Sequence, residues 1–215
     1  MPSNDVESQM YYPGEALLAL VRWHERVGGR DSPVPAVFAQ AFEPYRKVFR
    51  AFPDPAFVPW QSQAFAAMAR LTRNSEYAAF VFEMTDWLSE KQLSEENCPW
   101  PELRGGVAAY APGRVGVATA VYLEGFTDAL ALARQRGDRR RSTRYEAVVR
   151  AAARYVLQLM VRPEECYYIG TPKDAVGGIR TTLTNHRLRI DHVQHALFAL
   201  IKSREVLFGK RGPRQ

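Results

Sequence analysis

Ala16-Leu-Leu-Ala-Leu20 is the stretch that decides the fold, because it returns twice more, as Ala64-Phe-Ala-Ala-Met68 and as Ala196-Leu-Phe-Ala-Leu200. Each copy alternates small and large apolar residues inside a longer run whose apolar positions fall three and four apart, the spacing of one helix face. Around the first copy, Leu17, Leu20, Val21 and Trp23 extend that face, and the spacing predicts a helix over Glu15–Val27, stopped by Gly28-Gly29. Working outward, a second helix runs from Pro35 to about Phe49, and a third, small on much of its surface, covers Trp60–Leu71. A fourth runs over Glu76–Lys91, a long Ala-rich fifth over Val117–Arg136, a sixth over Ser142–Val161 and a seventh over Asp191–Phe208.

The helices come in pairs joined by short turns, and the pairs are separated by longer Pro- and Gly-rich loops. Arg104-Gly-Gly-Val-Ala-Ala-Tyr110 and Val176-Gly-Gly-Ile-Arg-Thr-Thr182 occupy the same place, between the end of one pair and the next helix. There is no βαβ alternation and no sustained heptad; short strands are expected only at Tyr167–Ile169 and Ile179–Leu183. One helical hairpin cannot bury its apolar face alone, so such hairpins stack on one another. The unit-opening helices begin near residues 15, 60, 117 and 190, a growing spacing unlike the constant period of tetratricopeptide or HEAT arrays. The expected fold is all-α, built of antiparallel helical hairpins in a single domain over 1–215. An N-terminal arm (1–14) and a disordered basic tail (209–215) flank it.

Apolar residues make up 47% of the chain, the content of a folded globular protein. No apolar run reaches the roughly 20 residues that cross a bilayer, and residues 1–10 have no signal-peptide pattern, which points to a cytoplasmic protein without a membrane partner. The net charge of +6 is concentrated in Arg134–Arg144 and the tail, and no recognition helix, zinc knuckle or aromatic-basic platform accompanies it. That pattern is read as a solvated loop rather than a nucleic-acid surface. Cys98 and Cys166 form no disulfide framework, and neither they nor the histidines show a metal-ligand spacing. Phosphate- and dinucleotide-binding motifs are also lacking, so no cofactor is expected.

Taken together, Tyr11-Tyr-Pro-Gly-Glu-Ala-Leu-Leu-Ala-Leu20, Trp60-Gln-Ser-Gln-Ala-Phe65, the two Gly-Gly segments and Leu188-Arg-Ile-Asp-His-Val-Gln-His-Ala-Leu197 resemble the six-hairpin, or (α/α)-toroid, group. That group includes glycosidases, unsaturated-uronyl hydrolases, sugar 2-epimerases and D-glucuronyl C5-epimerases, the epimerase-like domains being nearest in look. The resemblance covers most of the chain but only about half of a ring. It implies an incomplete or C-terminal part of a toroid, completed by further upstream hairpins or by a homodimer.

The resemblance also implies that the unit-opening helices line the centre. Candidate residues then fall in four clusters: Tyr11, Tyr12 and Glu15; Trp60, Gln61 and Gln63; Tyr122 and Glu124; and Arg180, Arg189, Asp191, Gln194 and His195. Aromatic faces stack on sugar rings, Arg forks hold carboxylates, and paired acids or an acid with a histidine move protons. Asp191, His195 and Glu124 are the expected catalytic residues. The expected substrate-binding residues are Tyr11, Glu15, Trp60, Gln61, Tyr122, Arg180, Arg189 and Gln194. The implied activity is carbohydrate chemistry on an acidic sugar or oligosaccharide, by epimerisation, hydrolysis or elimination. A different reading stays open beside it: a non-catalytic helical scaffold that binds a protein partner or itself through an open edge. In that reading Arg189 and Asp191 form a capping ion pair, Glu124 a structural one, and His195 is a core histidine.

Overall fold

The computed structural model of the chain describes residues 4–29, 31–110 and 115–209, with side chains from residue 10 onward. Among the described residues there are eight α-helices and no strand: α1 (Asn4–Val27), α2 (Val34–Ala51), α3 (Val58–Thr72), α4 (Ser75–Ser89), α5 (Ala118–Gln135), α6 (Arg139–Gln158), α7 (Pro172–Ala175) and α8 (Ile190–Phe208). The protein is all-α, and no described helix is long and apolar enough to cross a membrane.

The unit-opening helices pack side by side in chain order: α1 on α3, α3 on α5, and α5 on α8. The helices between them lie behind. Phe38, Phe42 and Phe49 of α2 meet Phe57 just before α3, Phe65 of α3, and Tyr77 and Phe80 of α4 in a run of edge-on, tilted and stacked ring pairs, each contributing about 0.5–1.5 kcal/mol beyond its buried area. The central α3 is buried along almost its whole length, which explains its small residues: Ala64, Ala66, Ala67 and Ala69 leave room for neighbours on every side. Gly125 of α5 serves the same end, an added Cβ lying 3.4 Å from Pro59 Cα.

The two Gly-Gly segments are built alike. Leu93 and Gly105-Gly106 exchange backbone bonds just past α4, as Val161 and Gly177-Gly178 do just past α6. The first glycine of each pair has a positive φ, 94° at Gly105 and 82° at Gly177, the region that favours glycine.

Several expectations are corrected. Residues 4–14 do not form an arm; they are the first turns of α1, with Pro13 inside the helix. An internal proline is normally costly, but here Gly14 lies so close to α3 that a Cβ would come within 2.6 Å of Trp60 Cβ, and this packing holds the helix through the Pro-Gly pair. Tyr167–Ile169 is a turn, and Ile179–Leu183 reduces to the isolated bridges Met160↔Ile179 and Arg180↔Leu188. The short α7 was not expected; it starts on Pro172, where a missing N–H costs nothing. The basic tail from residue 210 lies outside the described residues.

Candidate functional site

The two ends of the helical array face one another. α1 and α8 form the walls of a trough whose floor is α3 and α5. Its main part is a cavity of about 710 Å³, lined among others by Leu18 and Arg22 of α1, Trp60, Gln63 and Arg70 of α3, Glu124 and Asp128 of α5, and Phe198 and Lys202 of α8. A second lobe of about 430 Å³ shares Leu18, Arg22, Trp60 and Gln194 with it and adds Glu15, Ala19 and His195.

The lining has a simple origin in the repeated pattern. Placing Ala16, Ala64 and Ala196 in one register, and Gly125 with them, puts Glu15, Gln63, Glu124 and His195 at one equivalent position of the four helices. Seven residues on come Arg22, Arg70, Ala131 and Lys202. Residues seven apart sit two turns apart on the same helix face, about 10 Å along the axis. The helices run parallel, so equivalent positions become layers across the trough: an acid–amide–acid–imidazole layer and a cationic layer.

Three members of the first layer are bonded together. His195 Nδ1 and Glu124 Oε1 are 2.8 Å apart, and Gln63 Nε2 donates to Glu124 Oε2 at 3.4 Å. Glu124 is only 5% exposed, in a helix that is otherwise apolar at that level, so its charge depends on these partners. The Trp60 ring stands edge-on to His195 with centroids 5.8 Å apart. Lys202 ties this layer to the next by donating to Gln63 Oε1 at 2.8 Å, to the Glu124 carbonyl at 3.0 Å and to Asp128 Oδ2 at 2.6 Å. Asp128 also faces the Arg70 guanidinium at 3.6 Å.

A histidine bonded through one ring nitrogen to a buried carboxylate has its tautomer fixed and its other nitrogen available for proton transfer. With a Trp face, a Phe and several polar groups around it, the trough offers both the stacking surface and the hydrogen-bonding groups that a polar ring compound needs.

Of the residues expected from sequence, Glu15, Trp60, Gln63, Glu124, Gln194 and His195 line the trough together. Asp191 does not. It lies in the first turn of α8 with its carboxylate held by Arg189 at 2.9 Å. Desolvation opposes its ionisation, but the Arg189 hydrogen bond and charge outweigh it and leave the carboxyl below the usual range. Arg189 is the residue preceding α8 and is spent on that pair. Arg180 is buried, and its guanidinium is used on the Gln158 and Leu159 carbonyls and on Glu165. It closes the end of α6 and is not placed to hold a carboxylate in the trough.

Gln61 is fully buried away from the trough, with neither amide atom hydrogen-bonded among the described residues. Tyr122 is buried too; burial, with the Asp54 carboxylate adding to it, raises its phenol above the usual range. Tyr110 donates to Asp54 at 3.2 Å, and the Tyr11 phenol bears on both tyrosines from α1. His24 bonds Ser32 at 2.7 Å, and His186 bonds Tyr168 at 2.9 Å, both outside the trough. Among the described residues no group of three or more His, Cys, Asp and Glu side chains could hold a metal ion.

Sequence reasoning missed Arg22, Arg70, Asp128, Phe198 and Lys202. The signal was present: extending the Ala16, Ala64 and Ala196 register by six residues reaches all three cations. Comparison of the chain with protein-family models, with curated proteins and with solved structures finds no match.

Proposed function

We propose that the chain is a carbohydrate-active domain, an arc of an α/α toroid, that moves protons on a sugar with the Glu124–His195 pair. The carrying observation is that pair itself: a 2.8 Å bond between a histidine and a buried carboxylate, with Glu124 on the 710 Å³ cavity of the trough, His195 on the 430 Å³ lobe, and Trp60 lining both. His195 serves as the base or acid, and Glu124 orients it and balances its charge as it takes up a proton. Trp60 supplies the face on which a sugar ring stacks. Epimerisation, hydrolysis and elimination all begin or end with such a transfer, and the acidic-sugar substrate rests on the toroid resemblance.

The test is ligand-induced stabilisation of the purified chain against neutral and acidic oligosaccharides, with His195→Gln and Glu124→Gln beside the native protein. A ligand at a hundred times its dissociation constant adds about 2.7 kcal/mol to stability. Stabilisation that weakens in both variants is the expected result; no response to any sugar overturns the reading.

A second reading is favoured by one specific observation. Equivalent positions Leu17, Phe65 and Phe126 are 3%, 0% and 1% exposed, whereas Leu197 of α8 is 55% exposed. The next pair repeats the contrast: Val21, Ala69 and Leu130 are buried and Ile201 is exposed. α8 therefore shows solvent the apolar face that its counterparts cover, as expected of an edge that binds another helix. Light scattering of native protein and of Leu197→Glu tests it: a native oligomer that dissociates in the variant supports an interaction edge, and a monomer in both cases counts against self-association.

A further inference from the structure

We infer that the trough binds an extended, chain-like acidic ligand whose anionic group is held by Arg22 and Arg70, whose backbone positions lie about 10 Å along the helix axes from those of the layer that holds Glu124 and His195. This rests on the reading of the trough as a sugar site and adds where the charge of the ligand sits.

The cationic layer is a consequence of the repeat register, and its three members are not equally free. Lys202 has all three of its protons placed on protein acceptors, so it is part of the scaffold. Arg70 reaches Asp128 only at 3.6 Å, beyond a good hydrogen bond, while Asp128 is already bonded by Lys202 at 2.6 Å. Arg22 is bonded to Glu25 on its own helix, an exposed pair of the kind that contributes little, and it lines both lobes of the trough. Two guanidinium groups on neighbouring parallel helices thus face the same cavity at the same level. The carboxylates beside them are Glu25, bonded to Arg22 at 2.7 Å, Asp128, already paired with Lys202, and Glu205 on the opposite wall.

Guanidinium forks bind carboxylates with paired, directional hydrogen bonds. Their distance from the Glu124–His195 layer separates recognition from chemistry: the acidic group is not the one being transformed. A single sugar ring at the pair meets Arg22 alone, the cation that both lobes share, whereas a chain laid along the helices fills the larger lobe and reaches Arg70 as well. The expected ligand is an oligosaccharide with a uronate unit beyond the reacting one.

The experiment measures dissociation constants by calorimetry for oligosaccharides of two to four units. Each length is tested neutral, with one uronate at the reducing end, and with one uronate at the non-reducing end. The proteins are the native chain, Arg22→Gln, Arg70→Gln and His195→Gln. One uronate position is expected to bind at least tenfold tighter than its neutral counterpart. Arg22→Gln removes most of that preference, read as the ratio of acidic to neutral affinity in the same variant, and His195→Gln retains it. Arg70→Gln repeats the result if it folds; Arg22, paired only within its own helix, carries the test regardless. Neutral and acidic ligands binding equally, or a preference that survives Arg22→Gln, overturns this inference and leaves the sugar-site reading standing. No binding by any oligosaccharide overturns both.

Discussion

Lys202 is the side chain whose loss the structure makes most costly. Methionine in its place keeps the length and the apolar stem but removes the ammonium group. Gln63 Oε1 and Asp128 Oδ2 then lose this donor, and the Glu124 carbonyl loses one donor but keeps the Thr127 hydroxyl at 2.7 Å. Asp128 is left with Arg70 at 3.6 Å as its charge partner. Breaking a buried ion pair by removing one partner costs about 3–5 kcal/mol. The Lys202 side chain keeps 24% of its exposure, so water offsets part of this, and a loss of about 2–3 kcal/mol is expected. For a chain of this length that is a fall of roughly 5–10 °C in midpoint temperature. The double variant Lys202→Met with Asp128→Asn removes the stranded charge together with its partner and is expected to recover about 1–2 kcal/mol relative to additivity. The assay is urea unfolding followed by circular dichroism for native, single and double variants. A Lys202→Met loss below about 0.5 kcal/mol, or strictly additive effects, refutes the claim that this network ties α8 to α3 and α5.

Other outcomes follow from the same structure. Gly105→Ala is expected to cost about 3 kcal/mol or more, because its φ is 94° and the new Cβ would meet the Ala151 carbonyl at 2.1 Å; Gly177→Ala, with φ 82° and open space around it, is expected to cost only about 1–2 kcal/mol. Urea midpoints compare the two. Asp138 caps α6 by accepting from Arg141 N, and that bond, then the Arg141 side chain, hold its carboxyl below the usual range. The folded state therefore binds its proton less readily than the unfolded state. The stabilisation is complete above the unfolded value of about 3.9 and is lost as pH falls through the lower folded value. Asp138→Ala is expected to cost about 1 kcal/mol at neutral pH, with the gap to native protein closing in acid below about pH 4, read from unfolding at several pH values. Arg180→Met is expected to lower stability by about 2 kcal/mol, by leaving the Gln158 carbonyl and Glu165 Oε1 without the guanidinium, while the Leu159 carbonyl keeps the backbone N–H of residue 180. It should leave sugar affinity unchanged, and a lost affinity in a folded variant would return Arg180 to the binding role expected from sequence.

The helices were legible because their apolar spacing is regular, and the small–large pattern at Ala16, Ala64 and Ala196 marked which of them pack together. Glu124 was legible as a carboxylate amid apolar neighbours, a placement that demands a partner. What spacing cannot supply is curvature. Arg22, Arg70 and Lys202 look in sequence like the solvated side of amphipathic helices; only the facing of α1 and α8 turns that side into the lining of a trough. The dense segment from Arg180 to His195 misled in the opposite direction. Asp191 and His195 share a helix face, yet Asp191 turns to Arg189, two residues back, while His195 reaches Glu124, 71 residues away. Arg180 was spent outside the trough too, on Gln158 at the end of the preceding long helix. Local density of polar groups thus reported how a loop is fastened, whereas the site drew one residue or a few from each helix.

That dispersal affects how the molecule would respond to occupancy. The trough takes Glu15 from near one end of the chain and Glu205 from near the other, with no covalent link between the walls. A ligand touching both walls would act as a staple between the first and last quarters of the polypeptide. Occupancy would then register across all four helices at once, as slower amide exchange in α1 and α8 together, and the tightness of the grip would be readable from backbone positions far from any atom the ligand meets.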